Sequence, residues 1–332
     1  MTGSITATST PTISPGVTFV IPHKGREHFL RETLKGIDAL SGTTAREVIL
    51  VTQNQALEPD TLIAAGSTPL KVLHADERLT ISALRNHGVT KSTHTHLAFL
   101  DADIVLSSNW LSMLLPMLDN DDVALVSAMQ VNGPEAPPLE QIRTALSNAT
   151  VNAAVDFLPG RNLLMHRETF DAVAGFPEHL VTCEDYYFTD RVAALGTLWY
   201  SSEASYVHLG EDKRLNEMFK KEIWRGQSNL LSLKGRRIEP GEWPSFVVPF
   251  WVSSLLILSV VLTMAGETST ALIALVLGAL PFVAYVTRLY FLAQRRIGIH
   301  HIIAFYGYYF PARAWGTLVG AFRSLGRDLH NK

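Results

Sequence analysis

Two aspartates separated by one small residue, Asp101 and Asp103, follow the apolar run Leu97–Leu100. Carboxylate oxygens are ligands that Mg²⁺ and Mn²⁺ prefer, and both metals also bind diphosphates. In an α/β fold, ligands bind outside the carboxyl ends of the strands, so the pair stands where chemistry is expected. The two carboxylates can share one divalent cation, or one can bind a ribose and the other the cation. The plain alternative is a solvated turn at a strand end, since aspartate is common in loops.

The elements that would position this pair alternate along the first part of the chain. Apolar segments predict strands, and apolar residues at helical spacing predict helices between them. The strands are predicted at residues 17–21, 47–51, 70–73, 97–100 and 123–128, and the helices at residues 29–40, 80–89 and 186–195. This alternation predicts an α/β fold, a Rossmann-type and mostly parallel sheet with helices on both faces. The sequence has no Gly-x-Gly-x-x-Gly after its first strand and no Walker loop, which argues against a dinucleotide or P-loop site.

Composition narrows the choice of partners. The chain has 332 residues and a formal net charge of −3, which gives no reason to expect nucleic-acid binding. Its one cysteine, Cys183, excludes an intrachain disulfide and a cysteine-based metal cluster. Residues 1–16 are rich in Thr, Ser, Pro and Gly and lack the apolar core of a signal peptide. We expect them to form a disordered tail.

Two long apolar runs lie towards the C-terminus. Phe246–Ala265 and Thr270–Thr287 carry no charge, and only a short polar break separates them. Each is long enough to cross a hydrocarbon core of roughly 30 Å at about 1.5 Å per residue. Tryptophan and tyrosine near the outer ends favour a transmembrane helical hairpin over residues 244–293, rather than two buried helices of a soluble protein.

The charges that flank this hairpin predict its orientation. Basic residues precede the first run and follow the second, whereas the turn between them has none: Lys234, Arg236, Arg237, Arg288, Arg295 and Arg296. The positive-inside rule then places the protein in the cell membrane with its N-terminal domain in the cytoplasm. Residues 297–322 mix aromatic and basic residues, and we expect an interfacial amphipathic helix there, broken or not at Pro311, rather than a third span. The predicted segment 297–332 thus consists of this helix and a cytoplasmic tail.

Four segments, in order, carry a family resemblance. They are Val20–Arg26, the Arg-Asn-x-Gly at 85–88, Phe99–Asp103, and an acceptor-side region made of 160–163, 175–178 and 184–185. With them the chain resembles a family-2 glycosyltransferase of the GT-A fold with a C-terminal membrane anchor. The predicted glycosyltransferase domain is residues 17–237, and the resemblance covers about residues 17–235.

The resemblance implies a donor site for a nucleotide-diphosphate sugar, with UDP or GDP as the nucleotide. Asp103 and Asp101 would be metal ligands, with Asp101 also able to meet the ribose, and His208 would be a further ligand of Mn²⁺ or Mg²⁺. Further donor contacts would come from several polar residues and one proline: Pro22, Lys24, Arg26, Gln53, Arg85 and Arg225. Arg85 has the alternative of an ordinary surface arginine, and Arg225 that of a basic segment next to anionic lipid.

The resemblance also implies an inverting single displacement. Asp185 would take the proton from the acceptor hydroxyl, and Glu184 beside it would share the site. The alternative for both carboxylates is a favourable position at a helix N-terminus.

The chain departs from the family pattern in two places. Many relatives have an acidic pair after the second strand, where this chain has Gln53, so the base that it binds is left open. The Gln-x-x-Arg-Trp motif of processive synthases is absent, which favours transfer of one sugar. Anchoring favours a lipid-linked or membrane glycan as acceptor, with membrane lipids as further partners.

Two other functions remain open on the sequence alone. A phosphatase of the haloacid dehalogenase type also uses Asp-x-Asp after a strand, but it carries the motif on its first strand. A membrane scaffold that kept the fold without the activity is the other alternative.

Overall fold

The computed structural model describes residues 13–227, 241 and 243–330. The predicted basic flank Lys234, Arg236 and Arg237 lies outside the described residues, as do residues 1–12 of the predicted tail. Within the described residues the chain forms two compact units. The first consists of residues up to 129, 152–179 and 184–209, and the second of residues 130–151, 180–183 and 210 onwards.

The first unit is built on one mixed sheet of nine strands, counted over the described residues. The strands are β1 (Ser14–His23), β2 (Arg46–Thr52), β3 (Leu70–His74), β4 (His94–Leu100), β5 (Ile104–Leu106), β6 (Val123–Val131), β7 (Ala153–Val155), β8 (Asn162–His166) and β9 (Thr197–His208). Their order is β3-β2-β1-β4-β8-β6-β9-β5, with β7 paired to β9. β1 to β4 pair in parallel, whereas β8 pairs with β4 and β6, and β5 and β7 with β9, all antiparallel. The α/β fold is confirmed, but the sheet is mixed rather than mostly parallel, because only the four strands β1 to β4 pair in parallel.

The helices of this unit are α1 (Glu27–Asp38), α2 (Pro59–Ile63), α3 (Ile81–Val89), α4 (Trp110–Leu114), α6 (Arg167–Ala172) and α7 (Glu184–Ala193), with α5 (Pro138–Ser147) in the second unit. They cover both faces of the sheet, as predicted. Val48 and Leu50 of β2 pack in the core that contains α1, whereas Ile49 and Val51 pack against Leu84 of α3. Successive residues of a strand point to opposite faces, so a strand buried on both sides is apolar throughout.

The N-terminal boundary of the sheet differs from the expectation. β1 begins at Ser14 and pairs with β4 from that residue, so residues 14–16 of the predicted tail belong to the sheet. The pairing is made by backbone groups, which polar residues supply as well as apolar ones.

The second unit contains α5, α8 (Leu215–Gly226), α9 (Trp243–Met264), α10 (Thr268–Leu292) and α11 (Ile299–His330). One apolar core joins α5 and α8 to the C-terminal helices through residues such as Ile142, Met218 and Phe305. α9 and α10 are long and apolar enough to cross a membrane and form a hairpin. α11 runs through Pro311 without a break in the helix.

Candidate functional site

The Asp-x-Asp pair follows the end of β4, and the pairing of β5 with β9 determines which residues surround it. β5 pairs with the end of β9 so that Ile104 lies opposite His208. The N–H of Leu209 donates to the carbonyl of Asp103 at 2.9 Å. The ladder brings Nε2 of His208 to 3.4 Å from Oδ1 of Asp103.

Asp103 is a nearly buried carboxylate among positive groups. An Arg26 terminal nitrogen lies 3.1 Å from its Oδ2, and only 9% of the Asp103 side chain is exposed. Burial alone would raise the pKa of Asp103, but the hydrogen bond and charge of His208, with the charges of Arg26 and Arg161, outweigh it and lower the pKa. The carboxylate is therefore held ionised, the state in which it can bind a cation.

The loop after β1 and the Asp-x-Asp line one pocket of about 190 Å³. Five residues of the predicted site contribute to it: Pro22, Lys24, Arg26, Asp101 and Asp103. His23, Phe29, Ile81 and Ala102 complete the lining.

Arg85 is a buried arginine of α3, which excludes the surface-arginine alternative. One terminal nitrogen donates to Oε1 of Glu184 at 3.0 Å, and the other to Oδ1 of Asp101 at 2.9 Å. The second nitrogen also donates to the carbonyl of Gly160 at 3.1 Å. Its guanidinium carbon lies 4.9 Å from the centre of the Phe176 ring. A donor-binding role for Arg85 would therefore have to act through the carboxylates that it holds.

Glu184 and Asp185 are the first two residues of α7. Glu184 contacts one terminal nitrogen of Arg85, and Asp101 contacts the other. Burial and the neighbouring Asp185 raise the pKa of Glu184 to about 7, and Arg85 offsets only part of this rise. Asp185 accepts hydrogen bonds from the backbone N–H groups of Gly160 at 3.3 Å and of Tyr186 at 2.8 Å. The two carboxylates thus have different environments, a condition for dividing acid and base roles.

The rest of the Arg-Asn-x-Gly motif fixes the walls of the site. The Asn86 amide donates to the carbonyl of Phe176 and to Glu178, both at 2.9 Å, and its oxygen accepts the N–H of Phe176. A Cβ on Gly88 would come within 2.5 Å of Val20, so only glycine lets α3 approach β1 this closely. The motif therefore positions the acceptor-side loop as well as Arg85.

Gln53 lies in a different groove, lined also by Asn54, His74 and Asp76. Its amide nitrogen donates to the carbonyls of Asp76 at 2.9 Å and Leu79 at 3.0 Å. Both amide hydrogens have acceptors, so the side chain offers its carbonyl oxygen to a ligand.

Arg225 belongs to the second unit, where it contacts acidic residues. A terminal nitrogen lies 2.6 Å from Glu222 and 3.6 Å from Asp212. Glu222 also contacts Arg143 at 3.2 Å and Arg313 at 3.5 Å, so one buried carboxylate meets arginines of α5, α8 and α11.

The side chains of Asp103 and its neighbour His208 fit a divalent cation. Asp103 offers a carboxylate, a ligand that suits Mn²⁺ and Mg²⁺, and His208 adds an imidazole beside it. Over residues 13–227, 241 and 243–330, no group of three His, Cys, Asp or Glu forms a ready-made metal cage. Mg²⁺-type sites are commonly completed by substrate phosphates and water, so two protein ligands are compatible with a metal–diphosphate complex.

Three residues of the site were given no individual role from the sequence, although Gly160 and Arg161 belong to the acceptor-side motif at 160–163. Gly160 packs between Arg85 and Asp185, and a Cβ there would lie 3.0–3.1 Å from both. The Nε of Arg161 donates to the Tyr206 hydroxyl at 2.7 Å. The antiparallel strands β8 and β9 bring these residues to the end of β4, and the sequence-based sheet did not contain them.

Known proteins resemble this chain in sequence and fold. Residues 18–173 match the model of Glycosyl transferase family 2. This stretch includes Arg85, Asp101 and Asp103 and ends before Glu184, Asp185 and His208.

Curated relatives extend the match. Glycosyltransferase AglE of Haloferax volcanii is 22% identical over 225 residues, which are 65% of this chain and 73% of that protein. The pre-mycofactocin glycosyltransferase of Mycobacterium tuberculosis is 25% identical over 231 residues, 66% of this chain. The match covers 48% of that relative, so this chain spans about half of its length.

A solved structure shares the fold. The mannosyltransferase PcManGT from Pyrobaculum calidifontis, in complex with GDP-Man and Mn²⁺, superposes with a TM-score of 0.62 at 16% identity, covering 94% of this chain and 91% of that one. None of these matches supports the phosphatase alternative. Residues 18–173 of this chain are therefore a Glycosyl transferase family 2 domain, and the chain has a GT-A-like fold.

Proposed function

We propose that this chain is a membrane-anchored, metal-dependent, inverting glycosyltransferase that moves one sugar from UDP- or GDP-sugar to a hydroxyl of a lipid-linked or membrane glycan. The observation that carries the proposal is the double contact of Arg85, which holds Asp101 at 2.9 Å and Glu184 at 3.0 Å. The donor-side Asp101 and the acceptor-side pair formed by Glu184 and its neighbour Asp185 therefore belong to a single site.

The donor end of the reaction falls to Asp103, His208 and Asp101. A divalent cation bound there would neutralise charge on the departing diphosphate, a Lewis-acid contribution of several kcal/mol. Lys24 and Arg26 line the same pocket and add positive charge for the phosphates. Asp101 keeps one oxygen for a ribose or a cation, since its other oxygen accepts from Arg85.

The acceptor end falls to Asp185. Its carboxylate would take the proton from the acceptor hydroxyl while that oxygen forms a bond to the anomeric carbon. The bond from that carbon to the phosphate oxygen breaks, its electron pair leaves with the nucleoside diphosphate, and the configuration inverts. The Gly160 N–H donates to Asp185 and so orients its carboxylate. Orientation matters because a general base must first lie within hydrogen-bond distance of the proton that it takes.

The membrane anchor is supported by the surfaces of α9 and α10. In the most apolar stretches of α9 and α10 only 17% and 22% of the residues are buried. Most of their apolar side chains are therefore covered by no other part of the described chain. Water-exposed apolar surfaces of this extent are unfavourable, and a bilayer removes the cost. Arg295 and Arg296 follow α10, which favours a cytoplasmic catalytic domain at the cell membrane.

α11 also supports a membrane location, because apolar residues lie on its outside and a charged residue lies on its inside. Its exposed side carries Ile303, Tyr308, Trp315 and Phe322. Its half-buried Arg313 faces Glu222 inside the unit. A helix that shows aromatic and aliphatic residues outwards suits the interface of a membrane.

The acceptor follows from anchoring. A catalytic domain held at a membrane meets lipid-linked substrates at a raised effective concentration. GDP is the first nucleotide to test, because the similar mannosyltransferase structure contains GDP-Man and Mn²⁺.

The test is thermal stabilisation of the detergent-solubilised protein by UDP, GDP and other nucleoside diphosphates, with and without Mn²⁺. We expect a shift with one of them that requires Mn²⁺ and is lost in Asp103→Ala. No shift with any nucleotide would contradict the proposal and favour the scaffold alternative.

A further inference from the structure

We propose, resting on the function proposed above, that Arg85 is a positioning residue that couples the donor side of the site to the acceptor side. A cation that binds at the Asp-x-Asp would weaken the hold of Asp101 on Arg85, and Arg85 would then favour the ionised form of Glu184. Donor-side loading would thus prepare the acceptor carboxylates.

The coupling rests on one guanidinium that serves two sides of the site. Its terminal nitrogens contact Asp101 at 2.9 Å and Glu184 at 3.0 Å, and Arg85 is 1% exposed. In a buried setting, charges are screened little by water and act strongly on one another. A change at one carboxylate is therefore felt at the other.

The backbone of Gly160 adds a second link. Its carbonyl accepts from Arg85 at 3.1 Å and its N–H donates to Asp185 at 3.3 Å. A Cβ at this position would push against both side chains at 3.0–3.1 Å. Arg85 thus contacts Glu184 directly and is linked to Asp185 through the backbone of Gly160.

The charges around Glu184 give the direction of the effect. Asp185 of its own helix disfavours the ionised form, and Arg85 of α3 favours it. Asp101, at the other end of the guanidinium, competes for Arg85. A cation at Asp101 removes part of that competition, so Glu184 gives up a proton more readily.

The guanidinium itself is needed, rather than any positive charge. Its fixed fork contacts two carboxylates at once, whereas a lysine ammonium is a single point on a flexible stem. Arg85→Lys therefore keeps the charge and loses the double contact.

The experiment measures protons released when Mn²⁺ alone binds the detergent-solubilised full-length protein at pH 7, with a pH indicator in weak buffer. Glu184→Gln is the matched control, because it keeps the shape and removes the titrating group. We expect the wild type to release more protons than Glu184→Gln, by at most about half a proton, because a carboxyl with a pKa of about 7 is half protonated at this pH. Protons that Mn²⁺ displaces from other groups are common to both proteins and cancel.

Arg85→Lys and Gly160→Ala test the link itself. We expect each to lose most of the excess release while Mn²⁺ still binds. Gly160→Ala changes no charge, so it serves if Arg85→Lys fails to fold. Equal release by wild type and Glu184→Gln, or an undiminished excess in both link variants, would overturn the coupling. The nucleotide shift with Mn²⁺, measured on the same preparation, would still report the donor site, so failure of the coupling is distinguishable from failure of the proposed function.

Discussion

The imidazole of His208 lies 3.4 Å from the carboxylate of Asp103, and the antiparallel pairing of β5 with β9 holds the two together. The pairing places Ile104, the first residue of β5, directly opposite His208, the last residue of β9. Asp103 immediately precedes Ile104 and therefore lies beside His208. A strand ladder is a rigid support, and the two groups form a pre-organised pair rather than a chance contact between loops.

The first prediction concerns this pair. We expect His208→Ala to weaken Mn²⁺-dependent nucleotide binding by about tenfold or more, the size of loss seen even when only an outer partner of a metal ligand is removed. Calorimetric titration of GDP or UDP at fixed Mn²⁺ measures it. His87→Ala, an exposed histidine on α3, is the control. Unchanged binding in His208→Ala would remove His208 from the metal site.

A second prediction concerns Arg26, which competes with any cation for Asp103. Its guanidinium is 3.1 Å from Oδ2, and 58% of the Arg26 side chain is exposed, so it can leave. We expect Arg26→Gln to bind Mn²⁺ alone more tightly, because a positive competitor is gone. The same variant should bind the nucleoside diphosphate–Mn²⁺ complex more weakly, because a phosphate contact is gone. Arg26→Lys, which keeps the charge, should fall between, and parallel changes in both affinities would count against the competition.

The parallel half of the fold could be predicted from the sequence. β1, β2 and β4 are buried on both faces, so they appear as continuous apolar runs, and the threonine at position 80 caps α3 through its hydroxyl at 3.2 Å from the N–H of Ala83. The pattern of local residues decides such elements. The Asp-x-Asp could be found for the same reason, since it follows directly from a buried strand.

Most of the antiparallel half and the role of Arg85 could not be predicted in this way; among its strands only β6 was predicted, at residues 123–128. β5 and β7 have three residues each, too few for a periodic signal, and β8 is short as well. The partners of Arg85 are distant in sequence and are set by tertiary packing. A charged residue on a helix is usually exposed, and only the three-dimensional arrangement of Asp101, Glu184 and Gly160 explains why this one is buried.

A third prediction tests the proposed base. We expect Asp185→Asn to reduce sugar transfer to near zero while Mn²⁺-dependent nucleotide binding survives, because the amide cannot accept the acceptor proton. Asn keeps one acceptor oxygen, which can serve the Gly160 N–H while the Tyr186 N–H loses its side-chain acceptor, so the fold should persist. Turnover and thermal shift are measured on the same preparation. Near-normal turnover would move the base elsewhere, to Glu184 first.

A fourth prediction follows from the raised pKa of Glu184. The folded pKa of about 7 exceeds the ordinary value of 4.5, so the folded protein holds a proton that the unfolded chain releases. Stability from this group is full below about pH 4.5 and is lost as the pH rises through 7.

The Glu184→Gln variant cannot lose stability in this way, because its amide does not ionise. We expect its melting temperature to approach that of the wild type at pH 5 and to exceed it by a few degrees at pH 8. Melting curves of both proteins across this pH range decide the matter. A difference that stays constant with pH would show that Glu184 ionises as readily in the folded protein as in the unfolded chain.

The last prediction concerns the apolar hairpin. Pro281 of α10 has no N–H, so the carbonyl of Leu277, four residues earlier, lacks its usual helical donor. The indole N–H of Trp251 on α9 donates to that carbonyl at 3.0 Å. In the bilayer proposed for these helices an unpaired carbonyl would be costly, so this bond should tie the two helices together.

We expect Trp251→Phe to destabilise the detergent-solubilised protein by about 0.6–2 kcal/mol, the range for hydrogen bonds between membrane helices. Pro281→Ala should remove most of that cost, because residue 281 then supplies an N–H to Leu277 from within its own helix. Thermal unfolding of the two single variants and the double variant closes the cycle. Trp243→Phe, near the start of α9, is the control for loss of an exposed indole. Equal costs for Trp251→Phe with and without Pro281 would mean that Trp251 acts through packing alone.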